Sequence, residues 1–446
     1  MTSSLKIQSN ESLDVKTLSY FQRSFFGKLY KKYLREIPFV RGSTLWAWKR
    51  LFPFGMKLYS KLRSEKFSHT PLIKFSQYVV DPKILYSKKV VVTPMPDVFP
   101  KYLRHHLLQP HKEYDFPEIV SGIVENAIVT GASNLIDVND YVVCHDLINF
   151  NLDYTSEELH GRFIIDIEKS IVTKFLFPSA ELEIENGVIF TDAVSRNYAH
   201  FLTEVLPKIF LFSANKENNA SSLIIDAGLH QNLVEAIEIV AGVDVDLIGL
   251  DIGESVQVKS LHVLSPVGYV PFEKRPGKEA LPGHSHGIFS SFALLSMRDH
   301  ITAKISDLAT RPKKLKIFIR RNSEYRNVSN AAEIEKLLVA RGFFVIEPEK
   351  LSFLEQVEFF ANAEVIVGAT GAALANLIFC AATTRIVILI ARYKHNSYFY
   401  WQNMASACGN RVTYVLGESE SGPAKTIHSN FYVSPKFLLE ALNGYC

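Results

Sequence analysis

The segment that decides the fold reads KLKIFIRR (314–321), NAAEIEKLLVARG (330–342), FFVIEP (343–348), SFLEQVEFFANA (352–363), EVIVGATG (364–371), AALANLIFCA (372–381) and RIVILIA (385–391). Four of these runs are short, apolar and rich in β-branched residues, which predicts buried strands. The other three have the spacing or capping residues of helices, such as Ser352 followed three positions later by Glu355. Strands alternating with helices predict a parallel, doubly wound sheet. We assign it to a Rossmann-like domain over 310–433, followed by a helix over 434–446.

The preceding part of the chain repeats this alternation less regularly. Its predicted strands and helices are VVVTP (90–94), IVENAIVT (123–130), YVVCHD (141–146), GVIFTD (187–192), NYAHFLTEVLPKIFLF (197–212), SLIIDAG (222–228) and HQNLVEAIEIVAG (230–242). The Pro- and Gly-rich segment 269–291 lacks periodicity and predicts a boundary. We therefore expect an N-terminal α/β domain over 86–295, preceded by an extension over 1–85.

The composition is that of a globular protein: 446 residues, 47% hydrophobic and 21% charged. Four distant cysteines without CxxC spacing argue against a disulfide framework or a zinc site. The first residues contain no apolar signal-peptide core, so we expect a cytoplasmic protein. The uncharged segment 365–384 has the length of a membrane span, but its glycines and polar residues favour a buried strand, a turn and a helix.

The charge is concentrated at the N-terminus, where residues 1–66 contain 14 Lys and Arg but only 4 Asp and Glu. Trp46, Trp48, Phe52 and Phe54 lie among these basic residues. The pattern is typical of a helix at an anionic membrane surface, and equally of a helical hairpin packed on the main body. No nucleic-acid recognition motif accompanies it, so nucleic acid is not an expected partner.

Two predicted strand ends carry residues suited to binding phosphate. Arg320 and Arg321 end the first strand of the 314–391 series, and Arg326 follows. Small residues of the 368–373 turn enter a predicted helix, whose exposed N–H groups would attract an anion. Arginine pairs bidentately with phosphate, and of the two adjacent arginines we favour Arg320 without being able to separate it from Arg321. The dinucleotide fingerprint and the Walker loop are both absent, so we expect a nucleoside-diphosphate conjugate.

The sequence resembles glycosyltransferase family 61, the capsular polysaccharide biosynthesis type, over roughly 188–417. The resemblance rests on NYAHFLTEVLP (197–207), IFIRR (317–321) with Arg326 and Asn330, the Gly342–Phe343 turn, and GATGAALANLIF (368–379). It implies a GT-B architecture of two facing α/β domains. It also implies an inverting, metal-independent transfer without a cofactor, from a nucleotide sugar, most simply a UDP-sugar, to a cell-surface polysaccharide or lipopolysaccharide. Many members have His where this chain has Thr370, so a role given to that His cannot be carried over.

The resemblance also assigns site residues. Those on the donor side are Arg320, Arg321, Arg326, Ser352, Gln356, Thr370, Gly371, Ala372 and Asn376, and those on the acceptor side are Asn197 and Tyr198. His200 and Glu204 are four residues apart, so they share one helical face. We favour His200 as the catalytic base, with Glu204 either orienting it or acting as the base itself. Two rivals remain open: a nucleotide-sugar epimerase of similar shape, and a non-catalytic glycan- or nucleotide-binding component of a polysaccharide assembly complex.

Overall fold

The computed structural model describes residues 68–79, 82–106, 112–159, 163–174, 180–215, 221–271, 275, 287–306, 314–323, 325–392, 399–419 and 429–443. The basic stretch of the predicted extension lies outside these ranges, as does most of the predicted boundary segment 269–291. Among the helices described, none is both long enough and apolar enough to cross a membrane.

The structure is mixed α/β, and its strands are numbered along the chain. They are β1 (Ser68–Lys74), β2 (Lys83–Tyr86), β3 (Lys89–Val92), β4 (Asp97–Phe99), β5 (Glu113–Phe116), β6 (Ile119–Thr130), β7 (Ile136–Val138), β8 (Tyr141–Cys144), β9 (Phe163–Asp166), β10 (Ile171–Lys174), β11 (Ala180–Ile189), β12 (Ser222–Asp226), β13 (Leu247–Leu250), β14 (Ser255–Leu264), β15 (Gly268–Tyr269), β16 (Ile288–Phe289), β17 (Leu315–Ile319), β18 (Phe343–Ile346), β19 (Ala363–Ala369), β20 (Arg385–Ala391), β21 (Arg411–Ser419) and β22 (Phe431–Tyr432).

The α-helices are numbered in the same way. They are α1 (Phe75–Tyr78), α2 (Ser156–Leu159), α3 (Tyr198–His200), α4 (Leu206–Ser213), α5 (Gln231–Ala241), α6 (Ser291–Ser306), α7 (Ala331–Val339), α8 (Phe353–Ala361), α9 (Phe399–Ala407) and α10 (Pro435–Leu442). Within the described ranges, 3₁₀ segments cover Lys101–His106, Pro348–Lys350 and Ala372–Phe379, and a π turn, Phe201–Val205, joins α3 to α4.

The C-terminal sheet confirms the doubly wound prediction. Five parallel strands lie in the order β18-β17-β19-β20-β21, so the chain moves one way from β17 to β18 and the other way to β19. This topological switch places the carboxyl ends of β17 and β19 side by side, where open α/β sheets bind ligands. The charge-free segment 365–384 forms β19, a turn and a helical segment, as predicted. The helical segment is 3₁₀ rather than α and ends at Phe379.

The C-terminal sheet also takes a strand from far upstream. β4 pairs in parallel with β21, from Asp97 opposite Thr413 to Phe99 opposite Val415. Helix α10 contacts both strands and closes this end of the sheet. The predicted domain of residues 310–433 is therefore completed by residues near 98.

The N-terminal half is built on an eleven-stranded mixed sheet. Strands β13-β12-β11-β14 are parallel, β6 runs antiparallel to β14, and β7, β8, β1, β10 and β9 continue the sheet. The eleventh strand, β2, pairs antiparallel with β6 beside this path. β1 pairs with both β8 and β10, so this sheet includes residues from 68 onward, upstream of residue 86, where we expected the N-terminal domain to begin. The sheet has its own switch point, between β11 and β14.

One apolar core joins the two halves. Leu233 of α5, Met297 of α6 and Phe353 of α8 are all buried and belong to the same cluster. Helix α8 begins with the predicted capping box, in which the Ser352 hydroxyl accepts from the Glu355 N–H and the Glu355 carboxylate accepts from the Ser352 N–H. This cap fixes the start of the helix that carries Gln356.

Candidate active site between the two sheets

Arg320 follows β17 and forms ion pairs with two glutamates. Its Nε and Nη2 donate to the two Glu335 carboxylate oxygens at 2.8 and 2.5 Å, and its Nη1 donates to Glu347 Oε1 at 3.1 Å. Two carboxylates therefore offset its charge within the protein. This geometry revises the preference for Arg320 as the phosphate ligand.

Arg321 lies on the other side of the strand end, against the turn that follows β19. Its Nε donates to the Tyr325 carbonyl at 3.0 Å. Its guanidinium lies so close to Gly371 that a Cβ there would occupy the position of Nη1. Glycine at this turn therefore lets a cation rest directly on the backbone at the switch point.

Arg326 is a second cation beside Arg321. Its Nε is buried and has no hydrogen-bond partner among the residues described. Burial, and next the charge of Arg321, lower the pKa of Arg326 to about 10. Burial also lowers the pKa of Arg321, which Glu349 opposes. Two desolvated cations that repel one another are stabilised by an anion, so this arginine pair suits a diphosphate.

Four other predicted site residues, Thr370, Ala372, Ser352 and Asn197, take part in local structure. The Thr370 hydroxyl is buried and accepts from Trp401 Nε1 at 2.9 Å, and the Thr370 N–H donates to the Leu389 carbonyl. Ala372 begins the 3₁₀ segment. Ser352 is the helix cap described above, and Asn197 caps α3 by accepting from the Ala199 N–H. These contacts give Ser352, Thr370 and Asn197 structural duties at the predicted site.

Gln356 and Asn376 form a buried network with Tyr198. The Tyr198 hydroxyl lies 2.7 Å from Asn376 Oδ1 and 3.1 Å from Gln356 Oε1, and Asn376 Nδ2 donates to Gln356 Oε1 at 2.8 Å. Asn376 is 0% and Gln356 2% exposed. Their polar atoms join the two halves, and their assignment as donor ligands stays a prediction.

His200 and Glu204 form a close pair. His200 Nδ1 lies 2.6 Å from Glu204 Oε1, and the Glu204 carboxylate also accepts from the Val270 N–H. Burial opposes the charge on His200, but the Glu204 carboxylate, and then Asp192, raise the pKa of His200. Burial raises the pKa of Glu204 as well. The pair therefore holds a proton more tightly than an isolated histidine.

The π turn between α3 and α4 presents this pair. The Leu206 N–H donates to the Phe201 carbonyl five residues back, which widens the turn where His200 and Glu204 lie. Gly268 packs so closely on this turn that a Cβ would collide with the Thr203 carbonyl. π turns recur at functional sites, which agrees with a catalytic pair at this position.

A short chain of contacts connects this pair to the arginine pair. The ring of His200 lies 6.4 Å from that of Tyr400, which contacts the Trp401 ring at 4.4 Å. Trp401 bonds to Thr370, the neighbour of Gly371. The predicted base and the predicted phosphate ligands thus share one interface.

Some polar residues near His200 were missed from the sequence. Lys208 and Asp192 line a cavity together with Glu204. Lys208 continues the spacing of four from His200 and Glu204, and Asp192 follows β11 at the N-terminal switch point. The helical spacing and the strand-end rule would have indicated both residues.

The comparisons with known proteins agree with the resemblance drawn from the sequence. The profile of the family described as Glycosyltransferase 61 matches residues 198–387, from Tyr198 in α3 into β20. A comparison with curated proteins gave no match. The matched segment contains the His200–Glu204 pair, the arginine pair and the Tyr198 network, and the chain is therefore a glycosyltransferase with a family 61 domain over residues 198–387.

Proposed function

We propose that the protein transfers a sugar, with inversion and without a metal ion, from a UDP-sugar to a growing cell-surface polysaccharide or lipopolysaccharide. The observation that carries this proposal is the Arg321–Arg326 pair at the switch point of the C-terminal sheet. Among the residues that the structure describes, neither arginine has a carboxylate ion pair, so the two cations can neutralise a leaving diphosphate, the task that a metal ion performs in other transferases.

The N-terminal half would supply the other part of the reaction. With His200 Nδ1 held by Glu204, Nε2 is the nitrogen that would take the proton from the acceptor hydroxyl. The oxygen then attacks the anomeric carbon as the bond to the diphosphate breaks, and Arg321 and Arg326 hold the departing charge. This division of labour between two sheets supports the GT-B architecture as part of the proposal.

The test is transfer from labelled UDP-sugars, with and without acceptor glycans and with EDTA present. We expect acceptor-dependent transfer that EDTA leaves unchanged. Conversion of the donor without an acceptor would support an epimerase. UDP binding without turnover under every pairing would support a non-catalytic binding component. Loss of transfer on adding EDTA would refute the metal-independent mechanism.

If the acceptor is lipid-linked, the basic residues 1–66 would bring the enzyme to the membrane that holds it. Their positive charge and interspersed aromatics are suited to the anionic inner face of the plasma membrane, and this location is the final part of the proposal. These residues lie outside the part of the chain that the structure describes.

A further inference from the structure

A partly open cavity of about 70 Å³ lies at the carboxyl ends of β11 and β14. At 10–15 Å³ for each water molecule, it has room for about five. Glu204 of the catalytic pair lies in its wall, together with Lys208 of α4 and Asp192 after β11. The cavity therefore lies beside the proposed catalytic pair, on the side of the N-terminal sheet.

Two buried polar atoms of its lining residues have no partner within the described part of the chain: Asn134 Oδ1 and His145 Nδ1. The amide of Asn134 is oriented by Asp192, whose Oδ2 accepts from Asn134 Nδ2 at 2.9 Å. Buried polar atoms are normally hydrogen-bonded, so unpartnered ones beside a cavity indicate groups that enter it.

The rim of the cavity is held in place by one carboxylate. Asp226, at the end of β12, accepts hydrogen bonds from the Asp192 N–H at 2.8 Å, the Ser195 hydroxyl at 2.5 Å and the Ala132 N–H. These bonds tie the loop before Asn134 to the loop that carries Asp192. The polar wall is therefore built before any ligand arrives.

The charges around the cavity disfavour an acidic ligand. Lys208 is the cation of the wall, and it faces the carboxylates of Asp192 and Glu204. Burial, followed by the charges of Lys208 and Lys74, lowers the pKa of His145 to about 3, so its imidazole is neutral at working pH. A neutral imidazole can donate from one nitrogen and accept at the other, which suits a hydroxyl group.

The remaining wall combines apolar side chains, among them Phe75, Ile136, Val143 and Ile189, with hydroxyl-bearing residues such as Thr191 and Ser265. A sugar has both kinds of surface, C–H groups on its faces and hydroxyls around its edge. A cavity lined by apolar side chains together with an amide and an imidazole suits both kinds of surface.

We propose that this cavity is the subsite for an uncharged sugar unit of the acceptor, whose hydroxyls bond to Asn134 and His145. The inference rests on the proposed function, because an acceptor bound beside Glu204 is positioned for its hydroxyl to reach the catalytic pair. The site is separate from the donor phosphates, which the arginine pair would hold on the C-terminal sheet.

Saturation-transfer NMR with methyl glycosides of a neutral hexose and of a uronic acid, in the absence of nucleotide, tests this subsite. We expect the neutral glycoside alone to bind. His145→Phe and Asn134→Leu should each weaken that binding about tenfold, the effect of one lost hydrogen bond. UDP affinity should stay unchanged in both variants. His262→Phe, on β14 but outside the cavity lining, is the matched control and should bind like the wild type.

Three results would overturn the proposal: no glycoside bound by the wild type, equal binding of the uronic acid, or unchanged binding in both cavity variants. If a variant fails to unfold cooperatively, Asn134→Ala or His145→Ala replaces it in the same comparison. Normal UDP binding by the wild type with no glycoside bound would reject the subsite and leave the proposed function intact. Absence of UDP binding would reject the proposed function instead.

Discussion

Of the two adjacent arginines after β17, we expect only Arg321 to contribute to nucleotide binding. Arg321→Ala removes a cation that lies against Gly371 and faces Arg326, so it should weaken UDP binding. A charge-assisted hydrogen bond contributes about 1.5–3 kcal/mol. This corresponds to a dissociation constant about 10–150 times larger. Arg320→Ala removes a side chain already bound to Glu335 and Glu347, so UDP binding should stay at the wild-type level.

Isothermal titration calorimetry with UDP at one fixed salt concentration measures both variants. Thermal unfolding provides a second readout, because UDP binding to the folded state should raise the unfolding temperature of Arg320→Ala but raise that of Arg321→Ala far less. Without UDP, Arg321→Ala should keep its stability, since it also removes repulsion from Arg326. Normal UDP affinity in Arg321→Ala, or a loss confined to Arg320→Ala, would refute this assignment of the phosphate site.

Four further predictions concern catalysis, the interface and the basic N-terminus. His200→Ala should bind UDP normally and lose transfer by about 10²–10⁴-fold in a single-turnover assay; wild-type turnover would remove His200 as the base. The base must be neutral, so the transfer rate should rise with pH through an inflection above 6.5, and Glu204→Gln should move that inflection lower because the carboxylate raises the pKa of His200; an unmoved inflection would contradict the pairing. Tyr198→Phe should lower the free energy of unfolding in urea by about 1–3 kcal/mol, because two buried amides lose a partner, whereas Tyr325→Phe, at an exposed position, should not. Sedimentation with anionic vesicles should be lost with added salt or on removal of residues 1–66, and equal sedimentation with neutral vesicles would argue for packing on the body instead.

The strands of the C-terminal sheet could be predicted because parallel strands are buried on both faces. Apart from one charged residue at or near its start (Lys316, Glu364 or Arg385), each of β17, β19 and β20 reads as an apolar run, which is a strong local signal. β1 gave no such signal, since Ser68–Lys74 mixes Pro, His and Thr with only two aliphatic residues. Its place is fixed by partners about 70 and 100 residues away, β8 and β10.

The candidate site shows the same division between local and distant information. The spacing of His200 and Glu204 is local, and the structure brings them within 2.6 Å. The role of Arg320 depends on Glu335 in α7 and Glu347 after β18, and nothing in the strand-end pattern indicates that these carboxylates reach it. The sequence around Asn376 likewise resembles a ligand-binding turn. One of its hydrogen-bond partners in the structure, Tyr198, lies 178 residues upstream and cannot be identified from the local sequence.

The pairing of β4 with β21 restricts how the protein can be divided and how its halves can move. A fragment that begins after α6 would lack β4 and leave the backbone of residues 413–415 as an open sheet edge, which invites association with other chains. In the intact protein the chain enters the C-terminal sheet at β4, leaves it for β5 and returns at β17. The chain therefore passes between the halves three times: before β4, after β4 and before β17. Any movement that opens the interface or closes it over a donor and an acceptor must bend all three connections, rather than a single linker.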